Sequence, residues 1–159
     1  MKKLFYLFAV TMLFAACSKE NDGIEIPDTP ETNSTSYNGT LLADSFATAA
    51  VIDITPVANT STVDIVLNDV KFAPNMPIVL DITLKGIPYT KSDSVFSFSA
   101  NNVAPYINTG TEPVATYTFD KVQGRIVGKS LNLSAKMAEN LAPYISGMEF
   151  QFNGTEVTK

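Results

Sequence analysis

The sequence Ser130-Leu-Asn-Leu-Ser-Ala-Lys-Met137 decides the fold, because apolar and polar residues alternate through it without a break. In an extended chain, successive side chains point to opposite faces. The alternation therefore places Leu131, Leu133, Ala135 and Met137 on one face and the polar residues on the other. This pattern predicts a β-strand that covers a hydrophobic core with one face and meets water with the second.

The same alternation recurs along residues 37–159, which are enough for one domain with a core of its own. It predicts eight strands, at residues 37–43, 49–57, 62–70, 77–85, 94–100, 114–127, 130–137 and 147–157. The best helical candidate, residues 136–145, is interrupted by Pro143. The domain is therefore predicted to be all-β.

The sixth predicted strand changes phase within its length. Tyr117 and Phe119 share one face, whereas Val122 and Ile126 would fall on the other. A β-bulge near Asp120-Lys121 would return the apolar residues to one side. The alternative is two short strands with a turn between them, which would make nine strands. Gly128-Lys129 is predicted to form the hairpin turn that follows.

A short repeat relates the two ends of the domain. Tyr37-Asn-Gly-Thr40 opens it, and Phe152-Asn-Gly-Thr155 nearly closes it. If the first and last strands pair antiparallel, the two segments lie side by side and an even number of strands closes into a barrel. We therefore predict a single antiparallel up-and-down β-barrel of about eight strands. A β-sandwich is the alternative, because strand patterns alone do not separate the two folds.

The N-terminus has the features of an export signal. Lys2 and Lys3 precede an apolar run at residues 4–16, which is too short to span a bilayer, and Cys17 follows as the only cysteine. The stretch resembles a bacterial lipoprotein signal, which implies cleavage before Cys17 and acylation of its thiol, for example with palmitate. The alternative is ordinary secretion, in which Cys17 stays free.

Residues 17–36 are predicted to be an acidic, disordered tether, since they contain few large apolar groups. The segment Cys17-Ser-Lys-Glu-Asn-Asp22 resembles the surface-export signals of Bacteroidetes lipoproteins. That resemblance implies a protein anchored in the outer membrane by lipid and facing outward. A plain solvated run of charges is the alternative.

The domain itself resembles the calycin-like β-barrel domain of Bacteroidetes lipoproteins, a family related to lipocalins. The resemblance rests on patterns of apolar residues and glycines, which are Tyr37-Asn-Gly-Thr-Leu41, Val63-Asp-Ile-Val-Leu-Asn-Asp-Val-Lys-Phe72, Ile82-Thr-Leu-Lys-Gly-Ile-Pro88, Gly124-Arg-Ile-Val-Gly-Lys-Ser-Leu-Asn-Leu133 and Phe150-Gln-Phe-Asn-Gly154. It implies an up-and-down barrel and supplies no catalytic residue.

The composition removes most catalytic chemistry. The chain has no histidine, and its one cysteine is at the root of the tether, so catalytic pairs of histidine with serine or cysteine and zinc–histidine sites are excluded. Strand carboxylates, at Asp53, Asp64, Asp81, Asp120 and Glu149, are expected mostly on the solvated face. We therefore expect a non-enzymatic protein without cofactor or metal; a hydrolase that uses carboxylates is the contrasting class.

The charge balance bears on partners. Cleavage before Cys17 leaves 9 of the 11 basic residues against 16 acidic ones, a net charge of −7. That balance disfavours nucleic acid and anionic lipid as partners of the folded part.

A second repeat marks a candidate binding site. Asn102-Val-Ala-Pro-Tyr-Ile107 and Asn140-Leu-Ala-Pro-Tyr-Ile145 match at five of six positions. In an eight-strand meander both would be loops at the end away from the tether. Tyr106, Ile107, Tyr144 and Ile145 would then line a barrel mouth that takes a small apolar or sugar-like ligand. Alternatively, the two loops plug the barrel with their own side chains.

Asp93-Ser94-Val95 resembles the site at which Bacteroidetes O-glycosylate exported proteins, and a plain turn is the alternative. Taken together, the sequence predicts a surface-anchored, non-enzymatic lipoprotein that binds a small apolar molecule or a glycan in its mouth. The second possibility is a structural or accessory subunit of an outer-membrane complex, with a filled barrel.

Overall fold

The computed structural model describes residues 33–139 and 146–158. Its strands are β1 (Thr35–Ala43), β2 (Phe46–Pro56), β3 (Thr62–Val70), β4 (Leu80–Ser92), β5 (Val95–Val103), β6 (Tyr106–Ile107), β7 (Phe119–Val127), β8 (Ser130–Met137) and β9 (Glu149–Glu156). A single turn of 3-10 helix, Ala115–Tyr117, precedes β7.

Eight of these strands form one closed antiparallel barrel. Each pairs with the next along the chain, apart from the short β6, and β1 pairs with β9 to close the ring. Gly39 is directly opposite Gly154 in that pairing, so the two Asn-Gly-Thr segments lie side by side as the repeat predicted. The predicted all-β barrel is confirmed, and the sandwich alternative is wrong because the strands form a single sheet without two packed layers.

The predicted β-bulge is present. The register of β7 against β8 shifts between Phe119 and Lys121, and this shift allows Phe119 and Val122 both to be buried. The predicted start of this strand at residue 114 is wrong, because residues 115–117 form the 3-10 turn and β7 begins at Phe119. Gly128 has a φ of +56°, as the predicted hairpin turn between β7 and β8 requires.

The fourth strand begins three residues later than predicted, at Leu80, and continues well beyond residue 85, and a ninth, very short strand lies beside it. β4 continues through Gly86 to Ser92, with a register shift against β3 that begins at Val63. Gly86 has a φ of +67°, and its N–H donates to Asp64 Oδ1 at 2.8 Å. A glycine bulge thus allows the strand to continue where the alternation of apolar residues breaks. β6 then pairs with the first half of β4.

The first strand begins two residues earlier than predicted. Thr35 pairs with Ile54 at the start of β1, and Ser36 O accepts a hydrogen bond from Val157 N at 2.8 Å. Composition alone places these two residues in the tether, since neither is apolar. Backbone pairing, which does not depend on the side chain, extends the strand to include them.

The interior of the barrel is occupied by apolar side chains. Twenty-five of the described residues are buried and hydrophobic, and no polar or charged residue in the described part of the chain is buried. Five of these side chains are phenylalanines that alternate along the strands, Phe96, Phe98, Phe119, Phe150 and Phe152. The Phe119 and Phe150 rings meet edge to face with centroids 5.9 Å apart, a favoured aromatic geometry.

The meander gives the barrel two distinct ends. The N-terminal end holds the start of β1, the β2–β3 loop and the tight turns after β4 and β7. The opposite end, here called the loop end, holds residues 44–45 and 71–79 and the connections that follow β5 and β8. The chain therefore leaves β5 and β8 at the same end of the barrel.

Candidate functional site

Tyr106 and Ile107, the first half of the predicted mouth, form β6 and face opposite ways. Tyr106 is opposite Thr83 of β4, and the Lys85 ammonium is 4.1 Å from the centre of the Tyr106 ring on the outside of the barrel. Ile107 is opposite the buried Ile82 and packs against the core. This segment is therefore a strand laid against β4 and not a free loop. A ligand role for the two residues stays a prediction.

Other predicted positions lie outside the described residues. Tyr144 and Ile145, the second half of the mouth, are among them, and so are Cys17 and the whole export signal. Ser94 is described, in the two-residue turn between β4 and β5 at the N-terminal end. It is exposed, next to Asp93 with a φ of +50°. That position leaves its hydroxyl accessible, and its glycosylation stays a prediction.

Three of the strand carboxylates hold backbone or amide groups nearby. Asp81 Oδ1 accepts from Asp69 N at 2.9 Å, and Asp53 Oδ2 accepts from the Asn68 amide at 2.9 Å. Asp64 binds the N–H of the Gly86 bulge, as described above. In the described part of the chain, no group of three or more acidic, cysteine or histidine side chains is arranged to hold a metal ion.

Tyr37 has a clearly displaced pKa. Its ring is 4% exposed, at the N-terminal end of the barrel, opposite Glu156 on β9. Burial and, to a smaller extent, the negative charge of Glu156 raise the pKa of Tyr37 to about 12. A phenol held neutral in this way is suited to packing and not to acid–base work near neutral pH.

A shallow pocket lies on the outer wall of the barrel, across β5, β7, β8 and β9. This outer-wall groove is open to solvent and has a volume of about 540 Å³. Its outward-facing lining residues are Ser97, Gln123, Arg125, Asn132, Ser134, Gln151 and Asn153. The remaining lining residues, Phe98, Gly124 and Leu133, belong to the inward-facing phase of the same strands.

The strand register places the polar groups of the groove in two parallel rows. One row runs across Ser97, Arg125, Asn132 and Asn153, and the second across Gln123, Ser134 and Gln151. Within the described residues, none of these side chains has a hydrogen-bond or ion-pair partner. The groove is therefore a set of donors and acceptors held at strand spacing and free to bind.

Sequence reasoning missed this groove. The outward phase of the last four long strands is rich in serine, asparagine and glutamine, and that signal was available. What it lacked was the order of the strands around the barrel, which brings the rows together. The alternation shows which residues point outward. Without the strand order, these residues were interpreted as plain solvated surface.

Fold and site together define an all-β barrel with a packed interior and a polar groove on its outer wall. Comparison of the chain with protein-family models, with curated proteins and with solved structures found no match. The barrel agrees with the calycin-like resemblance at the level of fold. No helix among residues 33–139 and 146–158 is long and apolar enough to cross a membrane.

Proposed function

We propose that the protein is a lipid-anchored, non-enzymatic surface lipoprotein of the calycin-like kind whose filled barrel is a rigid scaffold that binds its partner on the outside. The observation that carries this proposal is the buried cluster of apolar side chains in the barrel, including all five alternating phenylalanines. An eight-stranded barrel has room for its own side chains or for one small ligand. Here the side chains take that room, which favours the function of an accessory subunit.

The anchoring half of the proposal rests on the N-terminal sequence. Cleavage before Cys17 and acylation of its thiol would hold the domain on the outer membrane, with residues 18–34 as the spacer before β1. Labelling of the full chain with palmitate in its bacterial host tests this. We expect label and membrane association in the wild type and neither in Cys17→Ala. Unchanged labelling of Cys17→Ala would contradict the anchor.

A separate experiment tests whether the barrel is filled by its own side chains. The full chain, purified in detergent, is extracted with organic solvent, and the extract is analysed by mass spectrometry. We expect no small molecule in stoichiometric amount. Recovery of one apolar or sugar-like compound per chain, lost on substitution of Tyr106 or Tyr144, would instead support a ligand in the barrel mouth. Reproducible turnover lost on changing one strand aspartate would favour the hydrolase.

The mouth-ligand function keeps one observation in its favour. The chain leaves β5 and β8 at the same end of the barrel, as that hypothesis requires, and Tyr144 and Ile145 lie outside the described residues. Tyr106, however, has its ring under Lys85 on the outer side of β4. The extraction experiment therefore decides between an internal ligand and an external one.

A further inference from the structure

We propose that the outer-wall groove binds an acidic oligosaccharide, with a sugar carboxylate on the Arg125 guanidinium and sugar hydroxyls on the amides around it. This inference rests on the proposed function, since it names the class of partner that the outside of the scaffold would bind. Three independent features of the groove lead to it: its charge, its hydrogen-bonding groups and its shape.

The four strands of this wall carry more basic than acidic residues, although the protein as a whole is acidic. The chain has a net charge of −5, whereas β5, β7, β8 and β9 with the turn at residues 128–129 carry Lys121, Arg125, Lys129 and Lys136 against Asp120, Glu149 and Glu156, a local charge of +1. Lys136 is 3.7 Å from Glu149 Oε1, whereas Arg125 has no acidic partner among the described residues. A free guanidinium on a locally positive surface favours a carboxylate, which it can bind through two parallel hydrogen bonds.

The hydrogen-bonding groups select a sugar over a simple anion. Four amides, on Gln123, Asn132, Gln151 and Asn153, and two hydroxyls, on Ser97 and Ser134, surround the single guanidinium. An amide both donates and accepts, and a sugar hydroxyl does the same, whereas a sulfate or a phosphodiester only accepts. A site for a bare anion or for an anionic lipid surface would need a cluster of cations in place of these amides.

The shape suits part of a longer chain. Four neighbouring strands at ~4.8 Å spacing make a polar strip about 14 Å wide between the outermost strands. The groove is open to solvent rather than enclosed. An oligosaccharide could therefore lie across the strip and continue beyond it at both ends. An enclosed pocket would instead take only a terminal sugar.

Binding of defined oligosaccharides to the full chain tests the proposal. The probes are short oligomers of galacturonic acid and of glucuronic acid, with neutral galactose and glucose oligomers of the same length for comparison. We expect at least one uronate oligomer to bind, and its neutral counterpart to bind about tenfold more weakly. Charge-assisted hydrogen bonds are worth enough for Arg125→Gln to cost about tenfold in Kd. Asn132→Ala and Asn153→Ala should each cost about threefold.

Lys91→Gln is the matched control. Lys91 is an exposed cation on β4, outside the groove, so its loss changes the net charge equally without touching the site. We expect an unchanged Kd for Lys91→Gln, and unfolding curves of all the variants that match the wild type.

Four outcomes would overturn the inference. They are no binding of any uronate oligomer, equal binding of neutral oligomers, equal weakening by Arg125→Gln and Lys91→Gln, and Arg125-dependent binding to vesicles of anionic phospholipid that matches uronate binding. The last would assign the groove to lipid headgroups. The proposed function is measured separately, by labelling of Cys17 and by solvent extraction, and Arg125→Gln should change neither.

Discussion

Gly39 of β1 lies directly opposite Gly154 of β9, at the seam that closes the barrel. The two strands approach so closely here that a Cβ on Gly39 would overlap the backbone of Asn153 and Gly154. Glycine is needed for this close approach and not for an unusual φ. The two glycines therefore allow β1 and β9 to pair closely enough to close the barrel.

Gly39→Ala should open or strain this seam. The new methyl group meets backbone on the partner strand, which cannot move aside as a side chain could, so we expect a loss of about 2 kcal/mol or more in the free energy of unfolding. Urea denaturation of the full chain in detergent measures it. Thr40→Ala, at the next and exposed position, should change stability by less than about 0.5 kcal/mol. Equal stability of the two variants would contradict the close approach.

Phe98 and Gly124 form a second tight contact, between β5 and β7. A Cβ on Gly124 would overlap the Phe98 ring, which is 2% exposed in the core. We expect Gly124→Ala to destabilise the protein by about 1–3 kcal/mol, since the ring must shift within a packed interior. In the double variant Gly124→Ala/Phe98→Leu the clash is relieved, so the two effects should be less than additive in urea denaturation. Strict additivity would show that the ring does not pack on the glycine.

Ionisation of Tyr37 should lower the free energy of unfolding at alkaline pH. Its folded-state pKa of about 12 is above the unfolded value of 10.0, so its contribution is complete below about pH 10 and is lost as the pH rises towards about 12. The displacement corresponds to a loss on the order of 2 kcal/mol. Urea denaturation at several pH values in this window should show the loss in the wild type and in Tyr106→Phe. Persistence of the full loss in Tyr37→Phe would assign it to another group.

Tyr106 and Lys85 should be energetically coupled across β6 and β4. The ammonium is 4.1 Å from the ring centre, within the range of a cation–π contact at an exposed site. A double-mutant cycle with Tyr106→Leu and Lys85→Gln should give a coupling of about 0.5 kcal/mol in the free energy of unfolding. The same cycle with Lys91→Gln should give none. A zero coupling for Lys85 would mean that the contact does not stabilise β6.

Much of the barrel could be predicted from the amino-acid sequence. The bulge near Asp120 followed from a phase change in the apolar residues, and the pairing of β1 with β9 followed from the Asn-Gly-Thr repeat. Each prediction rests on a short sequence pattern that has a physical cause. The extension of β4 through Gly86 was missed, because a glycine bulge interrupts the alternation on which the prediction relied.

The candidate sites were harder to predict. Tyr106 was expected in a loop, but the chain after β5 returns to pair with β4, and such pairing depends on a partner more than 20 positions away. The groove escaped notice because a side chain such as Asn132 looks like ordinary solvated surface when its strand is considered alone. Only its neighbours across the sheet, Arg125 and Asn153, give it a possible function.

The sequence by itself determined which residues face the core in the strands whose alternation is unbroken, because a two-residue period decides the side of the sheet on which a side chain lies. It also excluded catalytic and metal sites that depend on histidine, because the chain has no histidine. The tertiary structure alone decided which outward-facing residues become neighbours, since strand order and register arise from packing the whole barrel. That is why Arg125 of β7, Asn132 of β8 and Asn153 of β9 come to lie side by side on one outer wall.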